Sequence, residues 1–247
     1  MSGFFHIVSL GYRCRTSHRL REHFGHSTAF PFDWWITPIE GLIRFLDDWD
    51  VDRLYRPDQL RVHHKLFQKA WVENREYGFR LVHEFTRNRW RLATRQFLDE
   101  APQVKARTAH LMAKFDELDS KRRRVLFVRN VSLREEGDAA GCEALRQAVL
   151  RRVPRADPEF LLISNSGMAA EGWIPLKVDD SLKEPWSGDP ATWNTPLSTL
   201  GFRLHRPGIP QPPRPTQEIP EGLLQPPGWS RLLPRPGFFS SLIRREA

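Results

Sequence analysis

The chain has 247 residues, 40% of them hydrophobic, enough to bury one substantial core or one core with an appendage. No stretch reaches the roughly 20 apolar residues a membrane-spanning helix needs. The short Phe4–Val8 run lacks both the basic flank and the small-residue cleavage site of a secretory leader, so a cytoplasmic location is expected. The formal charge of +8 comes from arginines spread along the chain. No nucleic-acid-binding motif accompanies the one tight basic run, Lys121–Arg124, so nucleic acid is not the expected partner.

Phe5–Leu10 reads as a buried strand ended by Gly11. Arg13–Phe24 reads as a helix, with Leu20 and Phe24 on one face and Gly25 just past its end. In Phe30-Pro31-Phe32-Asp33-Trp34-Trp35 the proline keeps Phe30 extended, and aromatics gathered about a proline more often form a corner of the core than a substrate pocket. Asp33 is the exception there, because a carboxylate in such a setting must be paired or hydrogen-bonded. Thr37-Pro38-Ile39-Glu40 has the form of a capping box with proline in the first turn, and Ile39, Leu42, Ile43 and Leu46 supply the apolar face of the helix that follows. Between Val51 and Lys69 the signal is weak, and short helices and loops are expected. Tyr77–Phe85 suits an extended segment as well as a turn.

Val104–Leu118 predicts a helix, with Ala109, Met112, Ala113 and Phe115 among its buried positions. Val125–Arg129 and Phe160–Ser164 are short apolar runs on either side of a helical Cys142–Val153. Strand, helix, strand makes a βαβ unit, whose strands are parallel and buried on both faces. Ile174–Val178 adds an edge strand. The expectation is an α/β domain over residues 1–205, built on a small, mostly parallel sheet with helices on both faces. Over residues 206–247 the composition changes, and half of the 20 prolines fall between Pro207 and Pro236. An extended, proline-rich tail is expected there, able to contact a protein partner, with a short docking helix in Phe238–Arg245.

Cys14 and Cys142 lie far apart and form neither a disulfide framework nor a zinc-ligand spacing, so no metal or other cofactor is expected. In an α/β sheet, ligands gather at the carboxyl ends of the strands. Gly11–Cys14, Arg129–Asn130 and Ser164–Ser166 fall at such ends. Cys14 stands where a strand hands over to a helix, among cations, and both features stabilise the thiolate. A cysteine nucleophile needs a base, usually histidine, and a third group to fix the imidazole. His18, four residues on, shares a helix face with Cys14. His83 lies between an apolar residue, Val82, and a carboxylate, Glu84. The adjacent His63 and His64 carry little weight. Arg129, at the end of a buried strand, calls for an anionic partner: Asp33, Glu84 or a substrate group.

Four phrases occur in order: Ser9-Leu10-Gly11-Tyr12-Arg13-Cys14, Phe30-Pro31-Phe32-Asp33-Trp34, Tyr77–Phe85 and Val125–Arg129. Together they resemble a bacterial domain family of unknown function described as putative papain-like cysteine peptidases. The resemblance runs from residue 5 to residue 165. It implies Cys14 as nucleophile and His83 as base, in the chain order of papain-like enzymes. The family usually has His-Asp-Phe where this chain has His83-Glu84-Phe85. Asp33 is the candidate to orient His83, with Asn130 behind it, and Arg13, Arg129 and Asn130 are the candidate substrate contacts. The expected substrate is a carbonyl compound, a peptide or small molecule, with an anionic group among the alternatives. Two other readings stand beside this one. In the first, a non-peptidase α/β protein binds or modifies a carbohydrate or phosphorylated ligand through Arg13 and Arg129, and Cys14 only packs. In the second, an interaction protein recruits partners through its proline-rich tail.

Overall fold

The apolar runs at Phe5–Leu10, Val125–Arg129, Phe160–Ser164 and Ile174–Val178 become one parallel sheet in the computed structural model, which describes residues 3–25, 28–63, 71–86, 97–120, 124–179 and 189–204. In chain order the elements are β1 (Gly3–Phe4), β2 (His6–Ser9), α1 (Cys14–Phe24), α2 (Ile39–Asp48), α3 (Val51–Leu54), a 3-10 turn (Pro57–Gln59) and β3 (Leu60–His63). There follow β4 (Trp71–Asn74), β5 (Phe79–Leu81), α4 (Phe97–Ser120), β6 (Arg124–Asn130), α5 (Ala139–Arg152), β7 (Asp157–Ser164), β8 (Ile174–Lys177), α6 (Pro190–Thr199) and β9 (Arg203–Leu204).

The strand order is β2-β6-β7-β8 and every pairing is parallel. Alternation along the strands divides their side chains between two hydrophobic clusters. Val8, Leu10, Val125, Phe127, Phe160 and Leu162 share one with apolar residues of α2, α4 and α5. Ile7, Leu126, Val128, Leu161, Ile163 and Leu176 share the other with Leu20 of α1 and Trp193 and Leu197 of α6. The sheet is therefore covered on both faces, as the unbroken apolar runs require of parallel strands. β6, α5 and β7 form the expected βαβ unit, in register from Arg124 opposite Asp157 to Asn130 opposite Ile163. α1 ends as expected, with Gly25 in the left-handed conformation at φ +61°. β1 and β9 add a short parallel pair.

Three expectations change. Thr37 caps nothing: α2 begins after Pro38 with no side-chain cap, and Glu40 is exposed. The Ile39 N–H is satisfied instead by Glu135 Oε1 at 3.0 Å, from the loop after β6. Ile39, Leu42 and Leu46 are buried as expected, with Phe45 taking the fourth core position and Ile43 half-buried. Secondly, α4 starts well before Val104 and runs through Pro102, within its first two turns, where proline forfeits a single helical bond. Met112 and Phe115 are buried, but Ala113 is exposed. Thr108 takes a core place and meets the Tyr55 hydroxyl at 2.8 Å.

Thirdly, the stretch expected to hold only short helices and loops contributes β3 to an antiparallel sheet of order β3-β4-β5. Leu60 pairs with Asn74 and Val72 with Leu81. Its geometry is set by distant partners. Asn74 donates to the Leu54 carbonyl at 2.8 Å, and its Oδ1 accepts the Tyr77 N–H at 2.8 Å. Within Tyr77–Phe85 only Phe79–Leu81 is strand.

The Phe30–Trp35 segment is the corner of the core anticipated for it. Phe30, Phe32 and Trp35 are buried, and Phe32 packs edge-to-face on Trp35, Phe45 and Phe115. The proline-rich tail over 206–247 and its docking helix lie outside the described residues. Among the described residues, no helix is long and apolar enough to cross a membrane.

α2 crosses the β4–β5 turn so closely that a Cβ on Gly41 would run into the Tyr77 carbonyl oxygen. Gly41→Ala is therefore expected to destabilise the fold by about 2–3 kcal/mol, read from the midpoint of urea unfolding.

Candidate active site

The site is built on the turn that joins β2 to α1. Leu10 N–H still pairs with the Val128 carbonyl at 2.8 Å. The next two residues, Gly11 and Tyr12, have φ of +79° and +73°. Glycine adopts that conformation freely, whereas tyrosine does so under strain. Two side chains hold the turn: Ser9 Oγ accepts the Gly11 N–H at 3.2 Å, and Thr37 Oγ1 accepts the Tyr12 N–H at 3.1 Å. Any Cβ on Gly11 would collide with Thr37 Oγ1. Arg13 is then extended, and Cys14 opens α1, which has neither a side-chain cap nor an acidic residue in its first turn. Cys14 is half-buried, whereas Cys142 is enclosed in the core. Burial pushes the Cys142 thiol up to about 11. The two cysteines thus differ in their access to solvent.

Arg129, proposed above as a substrate contact, is wholly buried beneath this turn. Its anionic partner is Glu135, a residue the sequence reading did not single out. Nη2 meets both carboxylate oxygens at 2.9 and 3.0 Å and the Thr37 carbonyl at 2.8 Å. Nη1 donates to the Leu10 carbonyl at 2.9 Å and to Thr37 Oγ1 at 3.0 Å. The guanidinium also lies 5.8 Å from the centre of the Tyr12 ring. Arg129 thereby ties the turn after β2, the start of α2 and the loop after β6 into one block. Arg13 is half-buried and stands 5.0 Å from the Tyr12 ring centre. Asn130 ends β6, 6% exposed. Strand alternation turns it toward the face that α1 covers, as it does Leu126 and Val128.

Asp33 is buried, and its hydrogen bonds run to α1 and to its own segment. Oδ1 accepts from Ser17 Oγ at 3.1 Å, and Oδ2 accepts from Arg21 Nη2 at 2.5 Å and from Phe30 N–H at 2.9 Å. Burial raises its pKa, opposed by the Arg21 charge and these hydrogen bonds. Cys14, Ser17 and Arg21 recur at the i, i+3, i+7 spacing of one helix face, so the side of α1 that carries Cys14 is the side docked on Asp33.

The next residue, Trp34, links that face to the segment after β5. Arg21 lies 5.5 Å from its ring centre, and the His83 ring packs edge-on against it at 5.9 Å. His83 is half-buried. Its neighbour Glu84 is committed elsewhere, accepting from Trp35 Nε1 at 2.8 Å and from Arg107 Nη2 at 2.6 Å. His18, one turn beyond Cys14, has its pKa lowered, first by burial and then by the Arg19 charge. None of Thr37, Glu135, Arg21 and Trp34 was singled out in the sequence as a site residue. Only Thr37 carried a local signal there, and that signal pointed to a different role.

Residues 5–163 match the family described as "Putative papain-like cysteine peptidase". The chain belongs to this family. The match runs from β2 through β7 and takes in Cys14, Asp33, Thr37, His83, Arg129 and Glu135, leaving β8, α6 and β9 beyond it. No curated protein and no solved structure matches the chain. Among the described residues, no cluster of His, Cys, Asp and Glu has the makings of a metal site.

Removing one member of the buried Arg129–Glu135 pair leaves the other uncompensated. Arg129→Met alone is expected to cost about 3–5 kcal/mol in urea unfolding. Combining it with Glu135→Leu is expected to cost less than the two single changes summed, the signature of direct coupling in a double-mutant cycle.

Proposed function

We propose that this family member is a cysteine-dependent hydrolase that opens a carbonyl substrate, an amide or ester, with Cys14 as nucleophile. The observation that carries the reading is the strained turn. A non-glycine residue is held at positive φ between a buried strand and the helix that Cys14 begins. Backbone strain of this kind persists only where the surroundings enforce it, and it gathers at functional sites. A sharp strand-to-helix turn that lifts a nucleophile over the carboxyl edge of a sheet is also a recurrent hydrolase device.

In the proposed reaction the Cys14 sulfur attacks the carbonyl carbon while its proton passes to the imidazole of His83. Backbone N–H groups of the first turn of α1 stabilise the oxyanion. Collapse of the tetrahedral species forms a thioester, and the leaving group departs with the proton from the imidazolium. Water, deprotonated by the same imidazole, then releases the acid and the free thiol. Asp33 supports His83 through the Arg21–Trp34 contacts rather than by its own hydrogen bond. Arg13, stacked on Tyr12 beside the nucleophile, is the cation offered to an anionic substrate group, and the Asn130 amide is the polar contact offered from the end of β6. Arg129 serves the site from beneath, because Glu135 already takes its charge. An anion pocket built on Arg13 and Arg129 together loses one of its two cations, so the ligand-binding alternative is the less supported reading.

His18 is the rival base, favoured by its place one turn along α1 from Cys14. Timed alkylation with iodoacetamide near neutral pH, with each cysteine followed by mass spectrometry, tests both the nucleophile and the base. Cys14 is expected to react about a hundredfold faster than Cys142. His83→Ala is expected to slow Cys14 by about tenfold, with His18→Ala near wild type. The reverse pattern moves the base to His18. Equal rates at the two cysteines contradict the proposal.

A further inference from the structure

We infer that Thr37 is a positioning residue for the nucleophile, its hydroxyl holding Tyr12 in the left-handed conformation on which the placement of Cys14 depends. This rests on the reading of Cys14 as nucleophile. A threonine hydroxyl has one proton and two lone pairs. All three are used. Thr37 Oγ1 donates to the Leu10 carbonyl at 3.1 Å, accepts the Tyr12 N–H at 3.1 Å and accepts Arg129 Nη1 at 3.0 Å. Two of these partners lie on the turn itself, on either side of Gly11, and the third is the cation whose Nη1 also holds the Leu10 carbonyl. Thr37 is fully buried, so water cannot substitute for the hydroxyl. Its methyl group would lie 3.2 Å from a Cβ on Gly11, so the side chain fills the space beneath the turn as well as bonding to it.

The consequence for Cys14 follows from chain geometry. Tyr12 at φ +73° is held against its own preference, and the bond from its N–H to Thr37 lies on the residue that carries the strain. With that bond gone, Tyr12 relaxes toward negative φ and the peptide planes up to Arg13 rotate. Cys14, two residues on, then loses its fixed position at the start of α1. Thr37 touches neither sulfur nor substrate in this scheme and acts only through the turn. Full use of the hydroxyl by the turn and Arg129 also explains why this residue, in sequence a helix cap, gives α2 no side-chain cap.

The test is the second-order rate of Cys14 alkylation by iodoacetamide as a function of pH, in the full-length chain. Thr37→Val is expected to lower the rate by about tenfold to a hundredfold and to move the pH midpoint up toward that of an ordinary thiol. Thr37→Ser, which keeps the hydroxyl, is expected to restore both. Glycine at the strained position needs no such support, so Thr37→Val is expected to cost much less in a Tyr12→Gly background than alone. If Thr37→Val by itself does not fold, the double variant is expected to fold and to label Cys14 faster than the unfolded chain. A folded Thr37→Val with wild-type rate and midpoint overturns the inference, as does a Tyr12→Gly background that brings no relief. Wild-type protein that labels Cys14 no faster than the urea-unfolded chain overturns the nucleophile reading itself, a distinguishable result.

Discussion

The buried pairing of Arg129 with Glu135 is the constraint from which the upper edge of this molecule is organised. A guanidinium removed from water is tolerated when its charge is matched and most of its donors are used. Here its Nη donors meet one carboxylate, two carbonyls and one hydroxyl, drawn from three separate chain segments. Glu135 completes the block through its own acceptors, taking the Ile39 N–H that starts α2 and the Ser132 N–H of its own loop. The adjacent Glu136 repeats the device on the next strand, its Oε1 accepting from Asn165 at 2.7 Å and Ser166 at 3.2 Å. Two consecutive acidic residues thus brace the loops at the carboxyl ends of β2, β6 and β7.

On that braced edge the turn after β2 can carry strain that an isolated strand-to-helix connection would release. α1 is fixed at two points along its length: at its start by the Gly11–Tyr12 turn, and further on by the Ser17 and Arg21 bonds to Asp33. The second attachment also brings in the aromatic corner. Trp34, the one half-buried ring among the neighbouring buried Phe30, Phe32 and Trp35, lies between Arg21 and His83. Packing, charge pairing and the candidate chemistry are thereby continuous. The core holds the Phe30–Trp35 segment, that segment holds both α1 and His83, and α1 holds Cys14.

Much of the scaffold was legible in the sequence. Unbroken apolar runs such as Val125–Val128 and Phe160–Ile163 fit only strands covered on both faces, and the helical spacing of Cys142–Val153 between them left little choice of topology. The antiparallel sheet was not legible, because β3 is short and its turn partner Asn74 acts through Leu54, twenty residues earlier. At the site, Cys14 stood out because it lies where a strand hands over to a helix among cations, and Asp33 and Arg129 because a carboxylate or a guanidinium in an apolar setting demands a partner. Their partners did not. Nothing in the sequence set Glu135 and Arg21 apart from the chain's other charged residues, and Thr37 carried the signature of a helix cap. The capping pattern failed because a buried carbonyl and a strained N–H competed for the same hydroxyl, and tertiary partners outweighed the local one.

On the proposed reading this architecture delivers Cys14 as an acyl acceptor. That reading is tested most directly by exposing the protein to p-nitrophenyl acetate, quenching with acid and locating the acetyl group by tandem mass spectrometry. A burst of p-nitrophenolate is expected, with the acetyl group on Cys14 and none on Cys142. Acetylation confined to lysines or the amino terminus, with Cys14 unmodified, would contradict it.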